Sequence, residues 1–110
     1  MWIDGPEGTF LGYGRVVLLE RIRDCGSISA AARSMEMSYR HAWELVDSMN
    51  SRSKKPVVKK TTGGRGGGGT VLTPAGESAI AEFHRLNEAF RIFLEQKTTG
   101  LDEKLEAVRL

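Results

Sequence analysis

The 110-residue sequence has few of the features that mark secreted or membrane-bound proteins. It contains a single cysteine, Cys25, which excludes an internal disulfide framework, and no apolar run approaches the roughly 20 residues that span a bilayer. The first seven residues hold neither a basic leader nor an apolar run, so we expect no signal peptide. These absences favour a reduced, cytoplasmic protein, and the length suits one domain.

Residue combinations that carry catalysis or bind metals are also scarce. The two histidines, His41 and His84, fall on different predicted helices, and neither has a cysteine or carboxylate at metal-ligand spacing. Cys25 lies on the apolar face of a predicted helix, where a free cysteine usually behaves as a small buried side chain. The sequence therefore predicts no enzyme activity and no cofactor.

Charge and glycine, in contrast, are concentrated in the middle of the sequence. The net charge is only +2, yet residues 33–65 hold eight Lys and Arg against three acidic residues, between two acidic ends. A basic middle is typical of a protein that faces a polyanion, although an unevenly charged solvated surface explains the charge equally well. Six of the 13 glycines fall between residues 63 and 69, and short β-branched runs flank them. This pattern predicts a hairpin with a projecting, glycine-rich tip.

Helical patterns account for most of the remaining sequence. They predict helices at about residues 14–25, 30–35, 38–51 and 74–97. Gly26 ends the first helix, Ser38 caps the third, and Pro74 begins the last. Helical spacing on the third helix predicts that Trp43 is a core residue and that Tyr39 lies at the core boundary. Residues 2–11 predict a small hairpin, and residues 98–110 a short tail or helix.

The order of these elements is helix, short helix, turn, helix, hairpin and long helix. A winged helix-turn-helix has this order: the second helix of the pair enters the major groove of DNA, and the hairpin, called the wing, lies alongside the duplex. We therefore predict a mostly α fold with a small β component. Its winged helix-turn-helix domain covers residues 1–97, with the wing at about 57–73 and a long C-terminal dimerisation helix at about 74–97.

The start of the third helix carries side chains that suit base recognition. Arg40 can donate two hydrogen bonds to guanine, and Glu44, one turn later, can orient Arg40 or accept a hydrogen bond from cytosine. The alternative is that these residues form an ordinary exposed helix face. For His41 and Glu44, residue type alone discriminates only weakly between that alternative and a DNA contact. Cations on the wing suit phosphates, and Arg65 at its tip suits a phosphate or a minor groove. The predicted DNA contacts are Ser27, Ser29, Arg33, Ser38, Tyr39, Arg40, His41, Glu44, Lys59, Lys60 and Arg65.

The glycine-rich segment also invites comparison with a nucleotide-binding loop. A Walker-type loop requires Gly-Lys-Ser/Thr at the start of a helix, whereas Thr70-Val71-Leu72 predicts a strand. A dinucleotide-binding unit requires a parallel sheet for which the chain is too short. The wing interpretation is therefore favoured.

Apolar side chains at 3-4-3 spacing along the last helix predict a second interface. A helix of this length extends beyond what so small a core can cover, which favours a homodimer over a monomer whose helix folds back on its own core. The predicted dimer-interface residues are Ile80, Phe83, Leu86, Phe90, Phe93 and Leu94.

Residues 14–76 resemble the DNA-binding domain of the ModE family of molybdate-responsive transcriptional regulators, which is allied to the LysR-type regulators. The matching segments are Gly26-Ser27-Ile28-Ser29-Ala30-Ala31-Ala32, Met37-Ser38-Tyr39-Arg40-His41-Ala42-Trp43, Asp47-Ser48-Met49-Asn50, Thr62-Gly63-Gly64-Arg65-Gly66-Gly67-Gly68 and Leu72-Thr73-Pro74-Ala75-Gly76. The resemblance implies a homodimer held by the long helix, with the N-terminal hairpin packed on the domain. It also implies palindromic operators near genes for molybdate uptake or molybdenum enzymes.

The sequence departs from this family at its C-terminal end. Members carry a molybdate-binding region of small β-barrels, typically with a Ser-Ala-Arg-Asn-Gln stretch, and the 110 residues end at Leu110 without one. No residue is assigned as a molybdate ligand, and a separate partner is expected to bind any effector. The predicted function is sequence-specific regulation through double-stranded DNA, bound as a homodimer and without a membrane partner. A nonspecific architectural DNA binder and a protein-interaction adaptor on the same fold are the alternatives.

Overall fold

The computed structural model describes residues 2–5, 8–61 and 69–100, and this part of the chain contains four helices and two hairpins. The elements are β1 Trp2–Gly5, β2 Gly8–Gly12, α1 Tyr13–Cys25, α2 Ile28–Ser34, α3 Tyr39–Ser51, β3 Val58–Lys60, β4 Thr70–Leu72 and α4 Pro74–Thr98. The order confirms the predicted winged helix-turn-helix with a long C-terminal helix. The wing tip, including Arg65, and the predicted tail after residue 100 lie outside the described residues.

Short-range sequence signals set the helix boundaries. The hydroxyl oxygens of Ser27, Ser38 and Thr73 each accept a hydrogen bond from the backbone N–H three residues further on, at 3.0–3.1 Å. Each cap satisfies an amide that has no partner within its helix. Gly26 ends α1 in the left-handed conformation, with φ at 76°, and its N–H donates to the carbonyl of Ile22. Glycine adopts this conformation without steric strain, which explains the sharp turn into α2.

The hydrophobic core lies between the three helices of the helix-turn-helix, the wing and the first half of α4. Small alanine side chains on α2 and α3 allow these helices to pack closely. Burial of apolar surface in this cluster is the main stabilising contribution to the fold. The buried residues are Leu11, Val16, Leu18, Leu19, Ile22, Ile28, Ala31, Ala32, Ala42, Val46, Met49, Val57, Val58, Ile80 and Phe83.

Two core predictions are wrong. Cys25 is exposed, because it is the last residue of α1 and the buried stripe of that helix ends at Ile22. The Trp43 side chain is 42% exposed, since helical geometry places it about 100° around α3 from the buried Ala42. Tyr39 is 52% exposed, more than a boundary position implies.

Hydrogen bonds and one close approach fix the wing to the helices. The Asn50 side chain on α3 accepts from the N–H of Val57 at 2.9 Å and donates to the carbonyl of Val58 at 3.0 Å. The N–H of Thr70 on β4 donates to the carbonyl of Gly26 at 2.9 Å. At Gly76 a Cβ atom would lie 2.2 Å from the Val57 carbonyl oxygen, so only glycine lets α4 start this close to the wing. Both strands of the wing are thus tied to the helices, β3 to α3 and β4 to the turn between α1 and α2.

Helix α4 divides into a half that belongs to the core and a half that is exposed. Ile80 and Phe83 are buried in the core of their own chain, so they are not available to a partner and the predicted dimer interface is corrected at these two positions. Leu86 is half-buried, and the exposed apolar residues that follow are Phe90, Ile92, Phe93 and Leu94.

Ion pairs occupy the polar side of α4. Arg85 pairs with Glu82, and Arg91 pairs with Glu88 at 2.7 Å and with Glu95 at 2.9 Å. The hydrogen bonds from Arg85 and Arg91 lower the pKa of Glu82 and Glu88. These exposed pairs contribute little to stability. They make one side of α4 suited to water, in contrast to the apolar side.

The N-terminal hairpin lies on the same domain. Strands β1 and β2 are antiparallel, with a register irregularity between Ile3 and Asp4. Leu11 on β2 is buried in the core, and Ile3 packs against it from β1. None of the described helices has the length and apolarity needed to cross a bilayer.

Candidate nucleic-acid interface

The first turns of α3 project from the domain. The Arg40 side chain is 90% exposed, and its Nε donates to Oε1 of Glu44 at 3.2 Å, one turn along the same face. His41 is exposed as well. Because this ion pair is exposed to solvent, Arg40 can exchange Glu44 for another acceptor at little cost in stability. The guanidinium is therefore oriented but free to bind an incoming partner.

A groove runs between the start of α2, the start of α3 and the wing. We call it the α2–wing groove; its volume is about 410 Å³. Its lining residues are Ser27, Ile28, Ser29, Tyr39, Lys60, Thr61, Gly69 and Thr70. The structure thus brings together four of the predicted DNA contacts from three separate segments of the sequence: Ser27 and Ser29, Tyr39, and Lys60. Hydroxyl groups and an ammonium on one surface suit an anionic, hydrogen-bonding ligand.

A second, smaller depression adjoins this groove along α3. This α3–wing cleft has a volume of about 210 Å³ and is lined by Ile28, Trp43, Val46, Asp47, Asn50, Val58, Lys59, Lys60 and Thr70. Ile28, Lys60 and Thr70 line both depressions, which are therefore adjacent. Trp43, predicted as a core residue, is instead a wall of this cleft.

Ser27 inside the groove and the predicted contacts outside it differ in the partners that they already have. Ser27 and Ser38 use their hydroxyl oxygens to cap α2 and α3, so part of their hydrogen-bonding capacity is already engaged. Arg33 on α2 and Lys59 on β3 are exposed and lie outside the α2–wing groove. Arg65 lies in the part of the wing that the structure does not describe, and its role stays a prediction.

A cluster on the other side of α3 was not predicted from the sequence. Ser48 accepts hydrogen bonds from Arg15 of α1 at 3.2 Å and from Arg52 at 2.7 Å. Partial burial and the neighbouring Arg52 lower the pKa of Arg15. The cluster joins α1 to α3 and supports the orientation of α3. Sequence spacing gave no signal for it, because Arg15 and Ser48 meet only in the folded chain.

The described residues contain no group of three or more His, Cys, Asp and Glu side chains that could hold a metal ion. His84 instead faces Glu20 across the contact between α4 and α1, with 3.4 Å between Nε2 and Oε2.

Comparison with known proteins yields matches to bacterial regulatory proteins and to molybdenum-related proteins. Residues 14–77 match the family described as bacterial regulatory helix-turn-helix protein, lysR family. The molybdenum-pterin-binding protein MopB of Rhodobacter capsulatus is 44% identical over 97 residues, which cover 86% of this chain and 36% of that protein. The molybdenum transport protein ModE of Azotobacter vinelandii is 38% identical over 103 residues, covering 94% of this chain and 38% of that protein. The DNA-binding transcriptional dual regulator ModE of Escherichia coli K12 is 36% identical over 98 residues, covering 86% of this chain and 37% of that protein.

These relatives confirm the resemblance to ModE, and the chain spans little more than a third of their length. The family match covers more than half of the chain and runs from α1 through the helix pair and the wing into α4. The chain therefore belongs to the lysR family of bacterial regulatory helix-turn-helix proteins.

Proposed function

We propose that the chain is a DNA-binding transcriptional regulator of ModE type that reads specific sequences in double-stranded DNA. The observation that carries this proposal is the exposed start of α3, where Arg40 is 90% exposed beside the α2–wing groove. A helix start with exposed donors fits the major groove, whose base edges present acceptors such as O6 and N7 of guanine. Arg40 and Glu44 are the proposed base-reading residues.

Backbone contacts would come from the surfaces around the helix start. The exposed cations Arg33, Lys59 and Lys60, and the hydroxyl of Ser29, lie on the helix pair and the wing. Contacts of this kind position a protein on the duplex and supply salt-dependent affinity without reading sequence. His41, Tyr39 and the tip residue Arg65 complete the proposed DNA-binding surface.

The proposal includes a homodimer formed through α4. The exposed residues Phe90, Phe93 and Leu94, with the half-buried Leu86, form an apolar stripe that continues from the core, while ion pairs cover another side of the helix. Two-fold pairing of such stripes would place two copies of α3 in successive major grooves about 34 Å apart. A two-fold dimer binds palindromic operators for the same reason.

A connection with molybdenum-related genes is also part of the proposal. Its support is the similarity to the molybdenum-pterin-binding protein MopB and the molybdenum transport protein ModE. No described residue is assigned to molybdate, so an effector would act on this DNA reader through a separate effector-binding partner or region.

Selection of bound duplexes from a random DNA pool, repeated with and without molybdate at fixed salt, tests the function. A palindromic consensus with half-sites about one helical turn apart is the expected result. Binding without a consensus would identify a nonspecific architectural protein, and absence of binding would favour a protein-interaction adaptor. A consensus that is the same with and without molybdate would place sensing elsewhere.

A further inference from the structure

One row of side chains on α3 faces the wing rather than outward. Tyr39, Trp43 and Asn50 are spaced at four and seven residues, so helical geometry puts them on one side of α3. The hydrogen bonds of Asn50 to Val57 and Val58 show that this side is directed at β3. Arg40 and Glu44 lie on a different, outward face. The two aromatic side chains are thus set between the helix start and the wing.

Both aromatic side chains are accessible from solvent. Tyr39 is 52% and Trp43 is 42% exposed, and each lines one of the two adjacent depressions beside the wing. Across the α3–wing cleft from Trp43 stand the exposed lysines Lys59 and Lys60 of β3. The two lysines outnumber the one carboxylate that lines this cleft, that of Asp47. A large exposed aromatic beside a net positive charge has the composition of a site for a sugar–phosphate chain.

We propose that Trp43 is a DNA contact, and that its indole and the two lysines hold one sugar–phosphate strand in the α3–wing cleft. The indole ring packs on a deoxyribose and its N–H is available to a phosphate oxygen, while the ammonium groups supply charge. Because the cleft lies on the wing side of α3, the strand held there sets how far α3 enters the major groove. This inference rests on the proposed function and adds a neutral, sequence-independent contact to it.

Fluorescence reports on this site directly, since the chain has two tryptophans, Trp2 and Trp43. In a Trp2→Phe variant, titration with a duplex carrying the selected consensus is expected to change the Trp43 emission and to protect it from acrylamide quenching. A mixed-sequence duplex of equal length is expected to give the same protection at higher concentration. Emission that stays unchanged and unprotected at saturating DNA would overturn the proposal.

Affinity measurements separate a DNA contact from a structural role. Trp43→Ala is expected to weaken binding of both duplexes by about tenfold, the size expected for a hydrogen bond to a charged group. It should leave the salt dependence unchanged because the indole is neutral, whereas Lys60→Ala should reduce the salt slope by about one. Tyr13→Ala, which removes a 66% exposed aromatic from the start of α1, is the matched control and should bind as the parent does.

Other outcomes of these measurements would assign Trp43 a different role. Loss of affinity for the consensus duplex alone would assign Trp43 to base reading and overturn the backbone contact. A lowered thermal midpoint for Trp43→Ala with unprotected Trp43 emission would make the residue structural. If the parent protein binds consensus and mixed-sequence duplexes equally, with Trp43 protected, the specific function fails while the backbone contact stands; if it binds neither, both fail.

Discussion

Asn50 of α3 and Val58 of β3 are joined by two hydrogen bonds through one side-chain amide. The amide Nδ2 donates to the Val58 carbonyl at 3.0 Å, and the Val58 N–H donates to Oδ1 at 3.3 Å. The same oxygen accepts from the Val57 N–H at 2.9 Å. A side chain of α3 therefore bonds to the edge of β3 that does not pair with β4, as a neighbouring strand would.

Replacing Asn50 with alanine should destabilise the domain. The substitution leaves two N–H groups and one carbonyl of partly buried backbone without their partner, and we expect a loss of about 2–3 kcal/mol in the free energy of unfolding. Urea unfolding followed by circular dichroism measures it. Asn87→Ala on α4 is the matched control, expected within about 0.5 kcal/mol of the parent. Equal stability of the two variants would contradict the role given to Asn50.

Replacing Glu36 with asparagine should stabilise the domain. Glu36, in the turn between α2 and α3, has a φ of 54°, which costs most residues roughly 1–2 kcal/mol and suits asparagine better. We expect a gain of about 0.5–1 kcal/mol in the free energy of unfolding, read as a higher thermal midpoint. Glu36→Gln removes the same charge without the backbone preference and should show no gain. An equal rise in both variants would assign the effect to charge.

Replacing Phe90 with glutamate should separate the proposed dimer. Phe90 is 46% exposed in the single chain, so the substitution should leave folding intact while placing a charge in the apolar stripe. Sedimentation at micromolar concentration should show a monomer. Ile92→Glu is the matched control, because Ile92 is 42% exposed but lies about 200° around α4 from Phe90. Dissociation by the Ile92 variant alone would move the interface to the other side of the helix.

Replacing Asp47 with asparagine should tighten DNA binding. Asp47 lines the α3–wing cleft beside Trp43, where its carboxylate would repel a phosphate. Removal of one like charge near the proposed strand should raise the affinity for all duplexes by roughly two- to fivefold at low salt, and less at high salt. Fluorescence anisotropy across a salt series measures this. Glu77→Gln on α4 is the control; an unchanged Asp47→Asn affinity would place the phosphates away from the cleft.

The sequence predicts well those features of the fold that depend on residues close together in the chain, such as the ends of helices. Ser38 was predicted as a helix cap and Gly26 as a helix end, and both predictions hold because the hydrogen bond of each reaches only three or four residues along the chain. The order of helices and strands along the chain followed from the lengths of the predicted elements and the spacing of their apolar residues.

Long-range contacts were harder to predict. Helical spacing alone predicted that Trp43 is a core residue. The side of α3 that carries Trp43 lines a cleft only because the wing, which is bonded to Asn50, stands opposite it. Ile80 and Phe83 share the apolar seam with Phe90, but which part of that seam the protomer covers itself depends on where the core ends. Ser48, between Arg15 and Arg52, carries no sequence signal.

Arg40, at the exposed start of α3, is the residue that we propose reads a base. The most direct measurement compares the sequences selected from a random duplex pool by the parent and by Arg40→Ala, with Arg85→Ala on α4 and Lys59→Ala on the wing as controls. We predict that Arg40→Ala loses discrimination at one base pair of each half-site, a change of about 1–3 kcal/mol, at unchanged thermal stability. Arg85→Ala should select as the parent does, and Lys59→Ala should weaken all sequences alike. An Arg40→Ala variant that selects the parental consensus with undiminished preference at every position would contradict the account.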